Sequence, residues 1–114
     1  MSGDFIVDPR GKAGLDFLDW MPSRGLLRRV LDFVADRVED AELAADLREF
    51  VAGGYGFFAL GGYSAEQGAE IMKVIRESLP AAAWEWFPDD EGGRAVLAEL
   101  VEMVEEAEAA PDAD

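Results

Sequence analysis

Neither cysteine nor histidine occurs among the 114 residues of this sequence, and lysine occurs only at Lys12 and Lys73. Without cysteine the chain can form neither disulfides nor thiolate metal sites. Without histidine and cysteine it lacks the groups that most catalytic triads, zinc sites and pH switches near neutrality use. The sequence therefore predicts a protein that is not an enzyme and that uses no cofactor or metal.

Long apolar runs are also missing. No stretch reaches the roughly 18 apolar residues that a membrane-spanning helix needs. The residues from Met1 to Arg10 contain no basic region followed by an apolar core, which is the pattern of a secretory signal. We therefore expect a cytoplasmic protein with no membrane contact.

Carboxylate pairs and glycine-rich segments are the remaining candidates for chemistry. Asp16 with Asp19, and Asp89 with Asp90, could in principle perform acid–base catalysis, but neither pair has a context that promises a desolvated pocket. The glycines around Gly54 are not followed by the lysine that a phosphate-binding loop requires. Neither feature changes the prediction that the protein is non-catalytic.

Negative charge is the dominant feature of the composition. Twenty-five acidic residues against ten basic ones give a net charge of −15. The chain up to Arg37 holds six of each and is neutral, so the part from Val38 onward supplies the whole net charge. Such a field repels nucleic acid and anionic lipid and attracts basic proteins.

Helical periodicity covers most of the chain. Four segments place apolar residues three and four positions apart, the spacing of one helix face. Ser23, Asp40 and Ser64 precede three of them as N-caps, and Gln67 completes a capping box with Ser64. The four apolar stripes are Leu27, Val30, Leu31, Val34 and Val38; Leu43, Leu47, Phe50 and Val51; Ile71, Met72, Ile75 and Leu79; and Val96, Leu97, Leu100, Val101, Met103 and Val104.

The sequence therefore predicts a mostly α fold, a compact bundle of about four main helices plus one or two short ones. We expect residues 1–114 to form a single acidic domain, with residues 1–22 as an N-terminal arm and short helix and residues 109–114 as a frayed tail. Asp16–Met21 and Ala81–Phe87 are the short helices, because Pro22, Pro80 and Pro88 interrupt helical geometry. Trp20 is expected to cover the core.

The middle of the chain, Gly53–Tyr63, combines five glycines with Phe57, Phe58 and both tyrosines. We expect it to act as a hinge through which the two halves pack. The alternative is an α+β fold in which Phe5–Val7 and Phe57–Leu60 form a small hairpin. Gly68, in the middle of a helix face, indicates close approach of another backbone, such as that of the hinge, because glycine costs about 1 kcal/mol there relative to alanine.

Aromatic residues beside unpaired acids indicate a protein-binding surface. Trp84 and Trp86 are two positions apart on a helix and cannot both face the core, so at least one is expected near the surface. The last helix repeats like charges three and four apart, which costs a few tenths of a kcal/mol per pair. The predicted partner-binding residues are Tyr55, Tyr63, Trp84, Trp86, Asp89, Asp90, Glu91, Glu99, Glu102 and Glu106.

These features favour a stoichiometric inhibitor of a basic protein, such as an immunity protein or antitoxin that occludes the cationic site of a toxin. A nuclease is the expected target, because its substrate is a polyanion. Direct nucleic-acid binding is not expected. Two alternatives are a nucleic-acid mimic that inhibits a DNA-binding defence enzyme and a non-catalytic accessory or chaperone-like module.

Overall fold

The computed structural model describes residues 3–12 and 18–112, and four α-helices take up most of them. The helices are α1 (Arg24–Ala35), α2 (Ala41–Gly53), α3 (Ala65–Trp86) and α4 (Glu91–Ala109). Helix α1 packs on α2, and α3 packs on α4. The prediction of a mostly α fold with four main helices is confirmed.

A side chain caps the start of each helix, and the sequence predicts three of these four caps. Ser23 and Asp40 accept hydrogen bonds from free amides in the first turns of α1 and α2. Ser64 and Gln67 form the expected capping box at the start of α3. Asp90 caps α4 by accepting a hydrogen bond from the amide of Gly93 at 3.0 Å. Each cap satisfies donors that the helix itself leaves unpaired.

A small three-stranded sheet accompanies the helices. Its strands are β1 (Asp4–Val7), β2 (Leu18–Trp20) and β3 (Phe57–Ala59), and β1 lies in the centre. β1 runs antiparallel to β2 and parallel to β3. The register places Phe5 opposite both Trp20 and Phe58, and all three rings are buried. The predicted N-terminal arm therefore contains the central strand of the sheet and a part of the core.

Two predictions about these segments need correction. The helical turns expected over Asp16–Met21 are wrong for Leu18–Trp20, which are a strand, while Asp16 and Phe17 lie outside the described residues. A strand forms because β1 supplies partners for the backbone, whereas three residues are too few to hold a helix by themselves. The alternative pairing of Phe5–Val7 with Phe57–Leu60 does occur, but the strands are parallel and not a hairpin.

Trp20 lies in the core, as predicted, with 1% of its surface exposed. Its indole nitrogen donates a hydrogen bond to the carbonyl oxygen of Val96 at 2.8 Å. This bond satisfies the polar atom of an otherwise buried ring and ties the sheet to α4.

Helix α3 does not stop at Pro80 as the sequence predicted; it continues to Trp86 and absorbs the expected separate aromatic helix. Pro80 is on the exposed side of α3, while Leu79, Ala82 and Ala83 are buried on either side of it. Water can therefore satisfy the carbonyl that proline leaves without a donor, and packing of the buried face outweighs the break in the hydrogen-bond ladder.

The Gly53–Tyr63 segment is built into the fold and is not a free hinge. Gly54 ends α2 in the left-handed conformation, with φ 69°. Phe58 is buried in β3, and Leu60 is buried in the single 3₁₀ turn Leu60–Gly62 that follows. Gly61 donates a hydrogen bond to Asp8 at 2.9 Å, and an added Cβ there would come within 3.0 Å of the Asp8 backbone oxygen. The segment joins α2 and α3 through the sheet.

Gly68 is buried, but nothing crowds it as the sequence suggested. The nearest atom to an added Cβ at Gly68 is the Cβ of Pro9, at 3.9 Å, which is ordinary van der Waals contact. The neighbour is thus the loop after β1 and not the Gly53–Tyr63 segment, and the site has room for a methyl group.

Lys12 contacts the end of α4. Its ammonium group donates to the carbonyl oxygens of Glu108 and Ala110 and pairs with the carboxylate of Asp112 at 3.1 Å. A cation is favourable at a helix C-terminus, where carbonyls lack intrahelical partners. These contacts join the chain beyond β1 to the residues that follow α4.

Candidate protein-binding surfaces

A groove with a mostly apolar lining lies between α3 and α4. Its volume is about 340 Å³. The apolar lining consists of Leu79, Pro80, Ala83, Leu97, Ala98 and Val101, and the polar or aromatic rim consists of Trp84, Arg94, Glu102 and Glu105. We call this site the α3–α4 groove.

Trp84 projects from the rim with 64% of its surface exposed. The guanidinium carbon of Arg94 lies 4.1 Å from the centre of the indole. Arg94 also donates hydrogen bonds to the carbonyl oxygens of Phe87 at 2.6 Å and Pro88 at 3.1 Å. The turn between α3 and α4 therefore fixes the arginine, and the arginine holds the exposed indole in place.

Trp86 points elsewhere, as the two-residue spacing requires. It is half-buried against α1, edge-on to Phe33 with ring centres 5.4 Å apart. The guanidinium carbon of Arg29 lies 4.3 Å from its ring centre, and that of Arg37 lies 3.6 Å from the Phe33 ring. We call this row the arginine–aromatic array. The array was not predicted, although Arg29, Phe33 and Arg37 stand at every fourth position in the sequence.

The predicted acidic residues are all exposed, but they do not form one cluster. Asp89, Asp90 and Glu91 occupy the turn and first residue of α4, and the side chain of Asp90 caps that helix. Glu102 lines the groove near Trp84, together with Glu105, which the sequence analysis did not single out. Glu99 and Glu106 lie on exposed positions of α4.

Few of the acids on α4 are compensated. Within the described part of the chain, Glu99, Glu102, Glu105 and Glu106 form no ion pair. Glu108 differs, because it pairs with Arg76 of α3 at 2.9 Å. The groove is therefore flanked by carboxylates whose charge is available to a partner.

Tyr55 and Tyr63 lie in a second depression, well separated in sequence from the groove. It has a volume of about 290 Å³ and is lined by Asp46, Glu49, Phe50, Tyr55 and Tyr63. We call it the tyrosine cup. Burial, and secondarily the neighbouring Asp46 carboxylate, raises the pKa of the Tyr63 phenol. The structure thus separates the predicted tyrosines from the predicted tryptophans.

The two carboxylate pairs of the sequence, Asp16 with Asp19 and Asp89 with Asp90, are described only in part. Asp16 lies outside the described residues, and Asp90 is used as a helix cap. Burial, and secondarily the charge of Asp4, raises the pKa of Asp19. One Asp19 oxygen is shielded from solvent and has no hydrogen-bond partner within residues 3–12 and 18–112. The cost of burying this unpaired oxygen therefore arises in the sheet, and not in the groove or the cup.

No helix in the described residues has the length and apolar character needed to cross a membrane. No group of three or more acidic side chains in the same residues converges in a way that could hold a metal ion. No protein-family model, curated protein or solved structure matches this chain. The features of this chain that bear on its function are therefore the α3–α4 groove, the tyrosine cup and the distribution of charge.

Proposed function

We propose that the protein is a non-catalytic, stoichiometric inhibitor that binds a basic protein through the α3–α4 groove. The observation that carries this proposal is the combination of an apolar groove, a fixed and exposed Trp84 and unpaired carboxylates on one rim. Aromatic side chains in desolvated contacts supply most of the energy of protein interfaces, and complementary charge speeds association.

The partner chemistry follows from the charge. A chain with a net charge of −15 attracts cationic surfaces, and Glu102 and Glu105 direct that attraction to the groove. Enzymes that act on nucleic acid present such surfaces because their substrate is a polyanion. The proposed role is therefore that of an immunity protein or antitoxin that occludes the cationic site of a toxin, with a nuclease as the favoured target.

The apolar character of the groove separates this proposal from its alternatives. A nucleic-acid mimic would bind through carboxylates alone, so that added salt would abolish binding. An accessory module that inserts a partner helix would depend on Leu97 and Val101 and would tolerate salt. The inhibitor proposal requires both contributions: fast, salt-sensitive association through the glutamates and slow dissociation through Trp84.

The experiment is affinity purification of the tagged protein from its native host, followed by recombinant expression of any basic protein retained at one-to-one stoichiometry. Binding is then measured with the wild type, Trp84→Ala, Glu102→Lys and the control Glu77→Lys. Glu77 is exposed on α3 outside the groove, so its reversal changes the net charge equally. We expect Trp84→Ala to weaken affinity about 30-fold or more, the effect typical of an interface hot spot.

Glu102→Lys should slow association more than Glu77→Lys does, and the activity of a retained nuclease should fall to zero at equimolar inhibitor. Equal affinity of wild type and Trp84→Ala would contradict the use of the groove. A retained nuclease that remains fully active in the complex would contradict inhibition. Release of the partner by competing DNA without any effect of Trp84→Ala would favour mimicry.

A further inference from the structure

The rings of the tyrosine cup pack on one another and on the core. Asp46, Glu49 and Phe50 lie three and four residues apart, so α2 presents them on one face. The Tyr55 ring lies 5.4 Å from Phe50 between ring centres, and it covers Gly53 so closely that a methyl group there would overlap it. The neighbouring backbone and ring thus hold Tyr55 in place although 61% of its surface is exposed.

Tyr63 forms the other wall of the cup. Its ring packs on the buried Phe58 with 5.6 Å between ring centres, and Phe58 in turn lies 5.3 Å from Phe50. Asp46 lines the same depression, and burial together with this carboxylate raises the pKa of the Tyr63 phenol. Glu49 is exposed at the same depression. Rings and carboxylates together give a surface that is negative both in formal charge and in the quadrupole of its ring faces.

Three aromatic rings of the described chain lie under arginines, but the rings of the cup and the exposed Phe57 do not. Arginine carbons lie 3.6–4.3 Å from the ring centres of Phe33, Trp86 and Trp84. In the described residues no arginine or lysine covers a ring of the cup or pairs with Asp46 or Glu49. Arg48, the base nearest to them in sequence, points away from the cup and pairs with Asp36 at 2.9 Å.

We propose that the tyrosine cup binds an arginine side chain of a protein partner. A guanidinium group can stack flat on a tyrosine face and donate to Asp46 and Glu49 at the same time, because its donors lie in one plane. A lysine ammonium group is a point charge that cannot do both as well. This site is distinct from the α3–α4 groove, and its existence does not depend on the inhibitor proposal.

The test is a titration of the 114-residue protein with N-acetyl-arginine methylamide, monitored by the NMR signals of the Tyr55 and Tyr63 rings and the Glu49 amide. Low salt is used, because a single exposed charge contact is screened at physiological ionic strength. We expect saturable shifts confined to the cup, with a Kd on the order of 10 mM for one isolated side chain. The Trp84 indole signal reports separately on any binding at the groove.

Two probes and three variants make the result specific. The lysine analogue should bind more weakly, and uncharged N-acetyl-norleucine methylamide should not bind. Tyr55→Ala and Glu49→Gln should each weaken arginine binding about fivefold or more. Glu77→Gln, which removes the same charge from an exposed site on α3, should leave it within twofold of the wild type.

Several outcomes would overturn the proposal. These are the absence of saturable shifts, equal binding of the norleucine probe, or equal weakening by Glu49→Gln and Glu77→Gln. Equally tight binding of the lysine analogue would overturn the assignment to arginine. If Tyr55→Ala does not fold, as judged by NMR dispersion, Glu49→Gln and Tyr55→Leu decide the matter. If no partner is inhibited but arginine still binds the cup, the groove proposal fails and this proposal stands.

Discussion

The arginine–aromatic array and the tyrosine cup both combine aromatic rings with charge, but only the array contains its own cations. Arg29 and Arg37 lie over Trp86 and Phe33, and the neighbouring acids of α1 leave that region close to neutral. The cup has two acids and no cation of its own among the described residues. The difference indicates that the first surface contributes mainly to stability, whereas the second is available to a partner.

The largest effect is expected when Trp86→Ala is compared with Tyr55→Ala. Trp86 is half-buried between Phe33 and Arg29, so its removal leaves a void and an uncovered guanidinium. We expect the free energy of unfolding to fall by about 2–3 kcal/mol, less than for a fully buried tryptophan. Tyr55→Ala should cost less than about 1 kcal/mol because most of the ring is already exposed. Urea denaturation measures both, and equal losses would contradict the comparison.

Arg94→Gln tests an arginine that has both roles, because it covers Trp84 and also anchors the α3–α4 turn. The variant leaves the Phe87 and Pro88 carbonyl oxygens without their charged donor. We expect a loss of about 1–2 kcal/mol in the free energy of unfolding. Arg28→Gln on exposed α1 is the control, since Arg28 has no hydrogen bond, ion pair or ring contact within the described chain.

If Arg94→Gln costs no more than Arg28→Gln, Arg94 does not anchor the turn. The fluorescence of Trp84 provides a second measurement of the same contact. Acrylamide should quench the fluorescence of Arg94→Gln more strongly than that of the wild type, because loss of the guanidinium uncovers one face of the Trp84 indole.

The helices could be predicted because their signals are local. Ser23, Asp40 and Ser64 cap them within three residues, and each apolar stripe repeats within its own helix. Strand β2 could not be predicted in the same way, because three residues carry no period that excludes a helix turn. The parallel pairing of β1 with β3 depends on contacts between residues far apart in the chain, and sequence alone does not indicate its direction.

The candidate sites also differ in whether local sequence signals or contacts between distant residues define them. The two-residue spacing of Trp84 and Trp86 was enough to predict that one of them faces outward. Phe50 was assigned to the inner face of α2, so its place at the edge of the tyrosine cup was missed. The cup requires α2 to meet the residues on either side of β3, which only tertiary packing decides.

Arg29→Gln probes the array with a smaller effect. The substitution keeps much of the aliphatic stem and removes the charge over Trp86. A cation–π contact at a partly exposed site contributes about 0.5–1 kcal/mol, and we expect a loss of that size in urea denaturation. A double-mutant cycle with Trp86→Leu isolates the contact, and a coupling energy near zero would show that Arg29 only lies near the ring.

Tyr63→Phe gives the smallest effect near neutral pH, and its distinctive effect is expected in alkaline solution. Burial and the Asp46 carboxylate raise the pKa of the Tyr63 phenol, so the folded protein keeps a proton that the unfolded chain releases above about pH 10. Stability from this source is fully present below that pH and is lost progressively as the pH rises from there toward the higher pKa of the folded protein. The wild type should therefore lose more stability than Tyr63→Phe between roughly pH 9 and pH 11, as measured by urea midpoints.

Tyr55→Phe, which keeps Tyr63, should retain the wild-type loss. Parallel curves for the wild type and Tyr63→Phe would mean that Asp46 does not hold the phenol, and the Tyr63 wall of the cup would then be less rigid than that of Tyr55.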